Sequence, residues 1–335
     1  MSHSAAIRQA RLDHGIEVAA HDRLGLVRYA TMAASSHNTQ PWKFRIGRAA
    51  ITILPDLSRR CPAVDPDDHH LFASLGCAAE NLLVAAQAAG WAGRMSFDAA
   101  ADALQVDLAP APASATPLFG AIPIRQCTRG AYDGSALALD ELRLLEEAGR
   151  GDGVSVMLLT GRSRLEQVAE YVAAGNSAQL SDPDWAEELL HWIRFNRAEA
   201  LRTGDGLYGP AMGMPDVPRW LGKIAMRFAV SPERQNRRDT ANIRSSGAIA
   251  VLFSEADDKR HWIEAGRSYE RLALRAASLG LQTAFINQPV EVGALRRQLA
   301  DVLGISPRRP DLVVRIGRGA AMPRSLRRRV EEVLA

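Results

Sequence analysis

The sequence predicts an α+β protein built as two related halves, and three observations carry that prediction. Residues 43–56, KFRIGRAAITILPD, alternate Phe44/Ile46 and then Ile51/Ile53 about a Gly47-Arg48 turn, the period-two pattern of paired strands. Residues 70–91 form an alanine-rich run with few breakers, which buries on nearly all sides as a core helix. At an offset of 190 residues the pattern of that helix returns: Gly76 meets Gly266, Glu80 meets Glu270, Leu82 meets Leu272, Ala86 meets Ala276 and Gly90 meets Gly280, with Phe72 set against Trp262. A repeat of this length suggests a duplicated unit whose copies pack helix to helix.

The remaining elements follow from periodicity and punctuation. Residues 5–34 read as helix, RMSFDA and ALQVDLAP as strands, and 110–117, PAPASATP, as the connector between the halves. The halves are therefore set at 1–115 and 116–335. In the second, a helix is expected from Phe119 to about RQCTRGAY, with helices at 138–149 and 162–174 and a strand at 154–159. Residues 182–201 read as one amphipathic helix, with Asp182 as N-cap and Pro183 in its first turn. Residues 203–220 carry glycines and prolines throughout and read as a long loop. A buried strand is expected at 247–255, a helix at 261–281 and a last strand at 311–319.

Composition narrows the function. Of 335 residues, 47% are hydrophobic and 24% charged, an ordinary globular balance. No apolar run is expected to span a bilayer and the N-terminus shows no export signal, so the cytoplasm is expected, with no membrane partner. Cys61, Cys77 and Cys127 lack metal-ligand spacing and are expected as free thiols. The net charge of +3 is concentrated in RSLRRR at 324–329. No nucleic-acid motif accompanies it, so no nucleic-acid partner is expected.

Four stretches carry candidate chemistry. In ASSHNTQPWKF, residues 34–44, the amides of Asn38 and Gln40 each present a donor beside an acceptor, suited to a ring edge, and Ser35 and Ser36 add hydroxyls. The same residues also suit helix termination, with Pro41 closing the helix and Trp42 packing behind it. In IPIRQCTRGAY, Arg125 and Arg129 fall on one side of a helical turn with Gln126, Cys127 and Thr128 between them, an anion site or a solvated basic face. Arg324, Arg327, Arg328 and Arg329 add further phosphate contacts, form a solvated tail or make a weak nucleic-acid patch. In LGLQTAFINQPVEV a helix ends at Gly280, an extended stretch follows, and Asn287-Gln288-Pro289 turns the chain. DPDDHH, residues 65–70, has adjacent rather than helically spaced ligand types and reads as the cap of the helix entering at Leu71, so no metal is expected. No Gly-rich phosphate loop or G-x-S-x-G elbow is present.

Together these stretches resemble the nitroreductase family of FMN flavoproteins. ASSHNTQPW is similar to that family's P-S-S-x-N-x-Q-P-W motif, IRQCTRGAY to its R-R-[ST]-x-R-x-[FY] motif, LGLQTAFINQ to the segment passing flavin N5, and LVVRIGRG with its arginines to the last strand and phosphate-binding tail. The order of the first two motifs is inverted relative to ordinary members, which pair two subunits around each flavin. The chain therefore resembles a nitroreductase dimer fused into one polypeptide, as in the Acg-like branch. The resemblance implies a mainly antiparallel sheet with helices and one FMN per chain. It implies Ser35, Ser36 and Asn38 in contact with the flavin, with Gln40 supporting, and Arg125, Gln126, Cys127 and Arg129 at the phosphate. Ile286, Asn287 and Gln288 are implied near N5, and Arg327 and Arg328 in the tail. Ala34 and Cys127 depart from the family's Pro and Ser/Thr. The implied activity is NAD(P)H-dependent two-electron reduction of nitro or quinone acceptors, in which the flavin does the chemistry and no protein residue is a catalytic nucleophile. A flavin-sequestering protein is the alternative. It depends on whether an insertion at about 176–236 closes over the ring as a lid. The unit is expected as a monomer acting as an internal pseudo-dimer, or as a higher oligomer.

Overall fold

The computed structural model describes residues 22–229 and 231–335. The part of the expected first helix that precedes residue 22 lies outside them. The described part is α1 (Arg23–Thr31), capped by Asp22, whose carboxylate accepts from Gly25 N. It ends ten residues before Pro41, so that proline does not terminate it.

The expected hairpin forms as β1 (Trp42–Ile46) and β2 (Ala50–Pro55), paired antiparallel from Trp42↔Pro55 to Ile46↔Ile51. Helix α2 (His69–Ala88) follows, then β3 (Trp91–Asp98) and β4 (Ala103–Pro110), giving an antiparallel sheet in the order β1-β2-β4-β3. Its outer face meets solvent, as the in-out alternation of β4 requires. The capping role read into DPDDHH belongs to Asp65, whose carboxylate accepts from His70 N and Leu71 N. Contrary to expectation, α2 is long and apolar enough to cross a membrane, but 83% of its most apolar window is buried inside the protein.

Beyond the connector the chain departs from the expected pattern. Helix α3 is only Pro117–Ala121, and residues 125–132 are non-helical, with Cys127 bridging Thr283 in parallel. The helix expected there does not exist. Helix α4 (Leu139–Gly149), strand β5 (Val154–Leu159) and α5 (Arg162–Leu180) follow, α5 running six residues further than expected. The single helix expected at 182–201 is broken into α6 (Pro183–Trp192), β6 (Ile193–Arg194) and α7 (Arg197–Thr203). Asp182 and Asn196 cap the two pieces, accepting from Asp184 N and Glu199 N. The long loop contains β7 (Leu207–Tyr208), parallel to β6, and is followed by α8 (Arg219–Ala229) and an unforeseen α9 (Pro232–Arg244).

The second large sheet comprises β5, β8 (Ala248–Ser254), β10 (Arg309–Gly317) and β9 (Gln282–Phe285) in that order, antiparallel throughout. Every residue of β8 is buried, matching its unbroken apolar run, because helices cover both faces. The remaining helices are α10 (Lys259–Ser278), α11 (Gln288–Glu291), α12 (Gly293–Leu303) and α13 (Val330–Val333). The chain end returns to the first sheet, where Leu334 bridges Phe44 and Ala335 N donates to Phe44 O at 2.9 Å.

Helices α2 and α10 cross at the two glycines of the repeat. A Cβ on Gly76 would lie 2.0 Å from Ile263 O, and one on Gly266 would lie 1.8 Å from Ala73 O. Only hydrogen at both positions lets the backbones approach this closely. Glu80 then accepts from Arg267 and Arg271 at 3.0 and 2.9 Å, while Glu270, its counterpart in the repeat, pairs with Arg125 at 3.0 Å.

Candidate functional site

Two adjoining cavities open beside this crossing. The wider, of about 350 Å³, is bounded by Ser35, Ser36, His37, His70, Tyr269, Ile286, Asn287 and Gln288, with Leu189, Ile193, Leu207, Met212, Met214 and Met226 on its far side. The narrower, of about 120 Å³, is bounded by Ser35, Asn38, Arg125, Gln126, Cys127, Arg324 and Arg327. Ala34, Ser35, Arg129, Leu207 and Phe285 border both.

The polar loop after α1 is held in a strained conformation. His37, Asn38 and Gln40 have φ of 45°, 53° and 55°, the left-handed region that non-glycine residues seldom occupy. Strain of this kind persists where surrounding bonds over-determine it. The Asn38 amide donates to Gly206 O at 2.9 Å and Leu326 O at 3.2 Å, and its Oδ1 accepts from Arg327 at 2.9 Å. Gln40 is fully buried, donating to Gly204 O at 2.9 Å and accepting from Arg328 N at 2.8 Å. Both amides are thus committed to the protein. Asn38 still borders the narrow cavity, whereas Gln40 borders neither and supports the loop from behind. Ser35 and Ser36, both half-buried, are the members of the motif that face the wider cavity along with His37.

Arg125 and Arg129 differ sharply in commitment. Arg125 is buried and donates to Met32 O at 2.9 Å beside its ion pair with Glu270. Burial works against its charge, and the Glu270 carboxylate more than restores it. Arg129 is half-buried at the junction of the cavities, and its guanidinium has no hydrogen-bond or ion-pair partner among the described residues. Gln126 donates to Thr128 Oγ1 at 3.0 Å and Met322 O at 3.3 Å, which leaves its buried Oε1 unpartnered. Cys127 is half-buried on the narrow cavity.

Asn287 Oδ1 accepts from Val313 N at 2.9 Å, and Ile286 N donates to Val313 O at 2.9 Å, which fixes this turn against β10. Gln288 donates to Asn176 Oδ1 at 3.1 Å, again leaving a buried Oε1 without a partner. In the tail, Arg327 holds the Met32 and Ala33 carbonyls besides Asn38. Arg324 holds the Pro123 and Ile124 carbonyls. Arg328 turns away toward Asp56 and the Glu332 carbonyl and borders neither cavity, so the structure does not bring it to the site.

Of the bordering groups, Tyr269 and His37 escape sequence reasoning, whereas Trp185 belongs to the segment read as a lid. The Tyr269 hydroxyl and the Trp185 indole N–H are buried at the wider cavity without partners. Burial, reinforced by Arg129 and His70, pulls the His37 imidazole down to about 4, so it is neutral at physiological pH. Cys61 lies 3.6 Å from His37 Nδ1, and burial together with Glu188, Asp65 and Glu291 pushes its thiol up. A protonated thiol is a poor nucleophile. One signal for the rest existed: Glu80 and Glu270 recur at the repeat offset, and Tyr269 immediately precedes the second of them.

The arrangement joins a narrow basic recess to a broad, largely apolar chamber with unpaired hydrogen-bonding atoms on its walls. That combination suits a flat, polar-edged ring carrying an anionic tail.

No protein-family profile matches the chain. Two proteins of Mycobacterium tuberculosis, from strains H37Rv and CDC 1551, each bear the name "Putative NAD(P)H nitroreductase". Both are 27% identical to the chain over 302 residues, spanning 86% of it and 82% of their own length. Among solved structures, the FMN-bound nitroreductase of Bacteroides fragilis is similar over 61% of this chain and 89% of its own, at 15% identity and a TM-score of 0.38. The FMN-dependent nitroreductase of Mycobacterium smegmatis in complex with NADPH is similar over 61% and 87%, at 12% identity and a TM-score of 0.39.

Proposed function

We propose that this chain, a member of the nitroreductase family, binds one FMN across the two cavities and works as an NAD(P)H-dependent oxidoreductase on nitro or quinone acceptors. The observation that carries the proposal is Arg129: a half-buried guanidinium without a partner among the described residues, placed where an apolar chamber meets a basic recess. A charge left unpaired in such a place needs an anion.

In this reading the phosphate lies in the narrow cavity against Arg129, Gln126 and Cys127, with Arg125, Arg324 and Arg327 adding positive potential. Asn38 contributes by locking Arg327. The ring lies in the wider cavity among Ser35, Ser36, Tyr269, Ile286, Asn287 and Gln288. The unpartnered Tyr269 hydroxyl and Gln288 Oε1 supply a donor and an acceptor of the kind a ring edge takes up. Bound FMN would accept an electron pair from NAD(P)H and pass it to the acceptor. The chain positions the ring, neutralises the phosphate and keeps bulk water out.

We further read residues 1–115 and 116–335 as the two fused halves of a nitroreductase pair, with one complete set of motifs between them. We take the segment at about 176–236 as a lid. Its Trp185, Leu189, Leu207, Met212, Met214 and Met226 wall the wider cavity, which favours restricted access. The flavin-sequestering reading survives if that wall admits no NAD(P)H. We assign the protein to the cytoplasm, where NAD(P)H is available and its three free cysteines stay reduced. Mixing FMN-loaded protein with NADPH in a stopped-flow instrument tests the reading. Bleaching of the oxidised-flavin band within seconds, and its return on adding a quinone, is the expected result. Loaded flavin that NADPH and NADH both leave oxidised would mark a sequestering protein instead.

A further inference from the structure

Four buried ionisable side chains form a continuous line from the wall of the wider cavity to the interior of the second sheet. Glu291, on α11, and His70, on α2, both border the cavity. His70 Nε2 lies 3.7 Å from Glu291 Oε1, a gap that a shift of about half an ångström closes to hydrogen-bond range. His70 Nδ1 lies 3.2 Å from His69 Nδ1, and His69 Nε2 lies 3.0 Å from Asp311 Oδ1 on β10. His69, His70 and Asp311 are nearly or wholly excluded from solvent, and Glu291, at the cavity wall, is 16% exposed.

The tautomers of this line are constrained. Burial is the leading cause that holds both imidazoles below their ordinary value, so both are neutral near pH 7. A neutral imidazole donates through one nitrogen and accepts through the other. The contact between the two Nδ1 atoms therefore allows two patterns. If His69 donates to Asp311, then His70 donates to His69, and His70 Nε2 accepts from a protonated Glu291. If His70 donates toward Glu291, every bond reverses and Asp311 holds the proton. Either way the line carries one transferable proton, and its two ends are carboxyls. Burial pushes Asp311 up to about 8 and raises Glu291 as well, which favours the protonated form of each carboxyl. The other groups facing Glu291 are Gln179 of α5, which donates to Oε2 at 2.5 Å, Glu188 of α6 and Asp65 of the loop before α2. Asp65 and Glu188 are acidic and favour keeping Glu291 protonated.

We propose that Asp311, His69, His70 and Glu291 form a proton wire that delivers a proton to the acceptor bound in the wider cavity. The proposal rests on the oxidoreductase reading above. Reduction of a quinone requires two electrons and two protons. NAD(P)H is the reductant, and its electron pair and one proton reach one quinone oxygen as hydride. Glu291 gives its proton to the other oxygen and is left a carboxylate. The line is then one proton short; a proton taken up from water at Asp311 moves to Glu291 as the hydrogen bonds along His69 and His70 reverse, which restores it. Glu291 is the donor that meets the acceptor; His69, His70 and Asp311 act through it.

Glu291→Gln tests this while preserving the packing, because the amide can still donate to His70 Nε2 and accept from Gln179. Flavin reduction by NADPH should keep its rate, while reoxidation by a quinone slows by roughly 100-fold or more and loses its solvent isotope effect. His69→Gln should slow repeated turnover and spare a first, single reoxidation. A readout independent of activity is histidine ¹⁵N NMR on the protein with or without flavin. His69 and His70 should stay neutral between roughly pH 6 and pH 8, each with one protonated nitrogen. An imidazolium at either position, or reoxidation of Glu291→Gln within twofold of wild type, overturns the wire. Protein that takes up no FMN refutes the flavin reading instead, and the histidine spectra then decide the wire alone.

Discussion

Arg125 and Arg129 stand four residues apart and would be exchangeable if both simply gripped phosphate. Their surroundings say otherwise, and replacing each by alanine separates two roles. Arg129 has no side-chain partner among the described residues, so its loss removes a ligand contact and strands none of them. A charge-assisted contact contributes about 1.5–3 kcal/mol, which corresponds to roughly 10- to 150-fold in FMN affinity. Thermal stability of the flavin-free protein should hardly move. Arg125, by contrast, is paired with Glu270, which is 0% exposed. Removing one partner of a buried pair costs about 3–5 kcal/mol, because the other is left uncompensated. Arg125→Ala should therefore lower the melting temperature of the flavin-free protein by several degrees, whatever it does to FMN. Titration of flavin-free protein with FMN and with riboflavin, followed by flavin fluorescence, reads the first effect; thermal denaturation reads the second. Equal losses for riboflavin and FMN in Arg129→Ala would refute its phosphate role. An unchanged melting temperature in Arg125→Ala would refute the argument from Glu270.

Three further outcomes follow from the same geometry. Gly76→Ala and Gly266→Ala each push a methyl group into a backbone carbonyl and should destabilise by about 3 kcal/mol or more, whereas Gly120→Ala, which meets open space, should be nearly neutral; urea denaturation compares them. Folded Asp311 keeps a proton to about pH 8 that the unfolded chain releases near 3.8, so its contribution is full at low pH and is lost as pH rises toward 8. His37 opposes this only below its ordinary 6.5, so stability should decline from about pH 6.5 to pH 8, and Asp311→Asn should flatten that decline in pH-dependent melting curves. Met212→Ala with Met214→Ala should open the wall of the wider cavity and speed flavin reduction by dithionite, and an unchanged rate would show that these side chains do not limit access.

The sequence made local pattern legible and left nonlocal pairing hidden. The hairpin at β1–β2, the core helix α2 and the buried strand β8 were readable because their periodicity matches the number of faces they bury. The repeat pointed to two helices packing together, and the structure places their close approach at Gly76 and Gly266. The spacing of Arg125 and Arg129 misled, since four residues return a side chain to the same face of a strand as well as of a helix. The helix expected at 182–201 breaks because Ile193 and Arg194 pair with Leu207 and Tyr208, a contact that no local pattern announces. Helix α9 escaped notice because Ile243 is its one buried residue. Trp220, inside the segment read as a lid, is 66% exposed, while Met226 from the same helix borders the cavity. At the site, the hydroxyls and arginines were legible as residue types, yet the partners that commit Asn38, Gln40 and Arg328 elsewhere come from distant segments. His70 lay within a stretch read as a helix cap, and its line to Asp311 depends on α2 meeting β10.

The central claim is that two adjoining cavities in one chain hold one FMN, and the cofactor content of purified protein tests it most directly. Protein saturated with FMN, desalted and heat-released should yield FMN by chromatography at one equivalent per chain, and Arg129→Ala should retain markedly less. Recovery of FAD, of two flavins per chain, or of none after saturation would contradict the account.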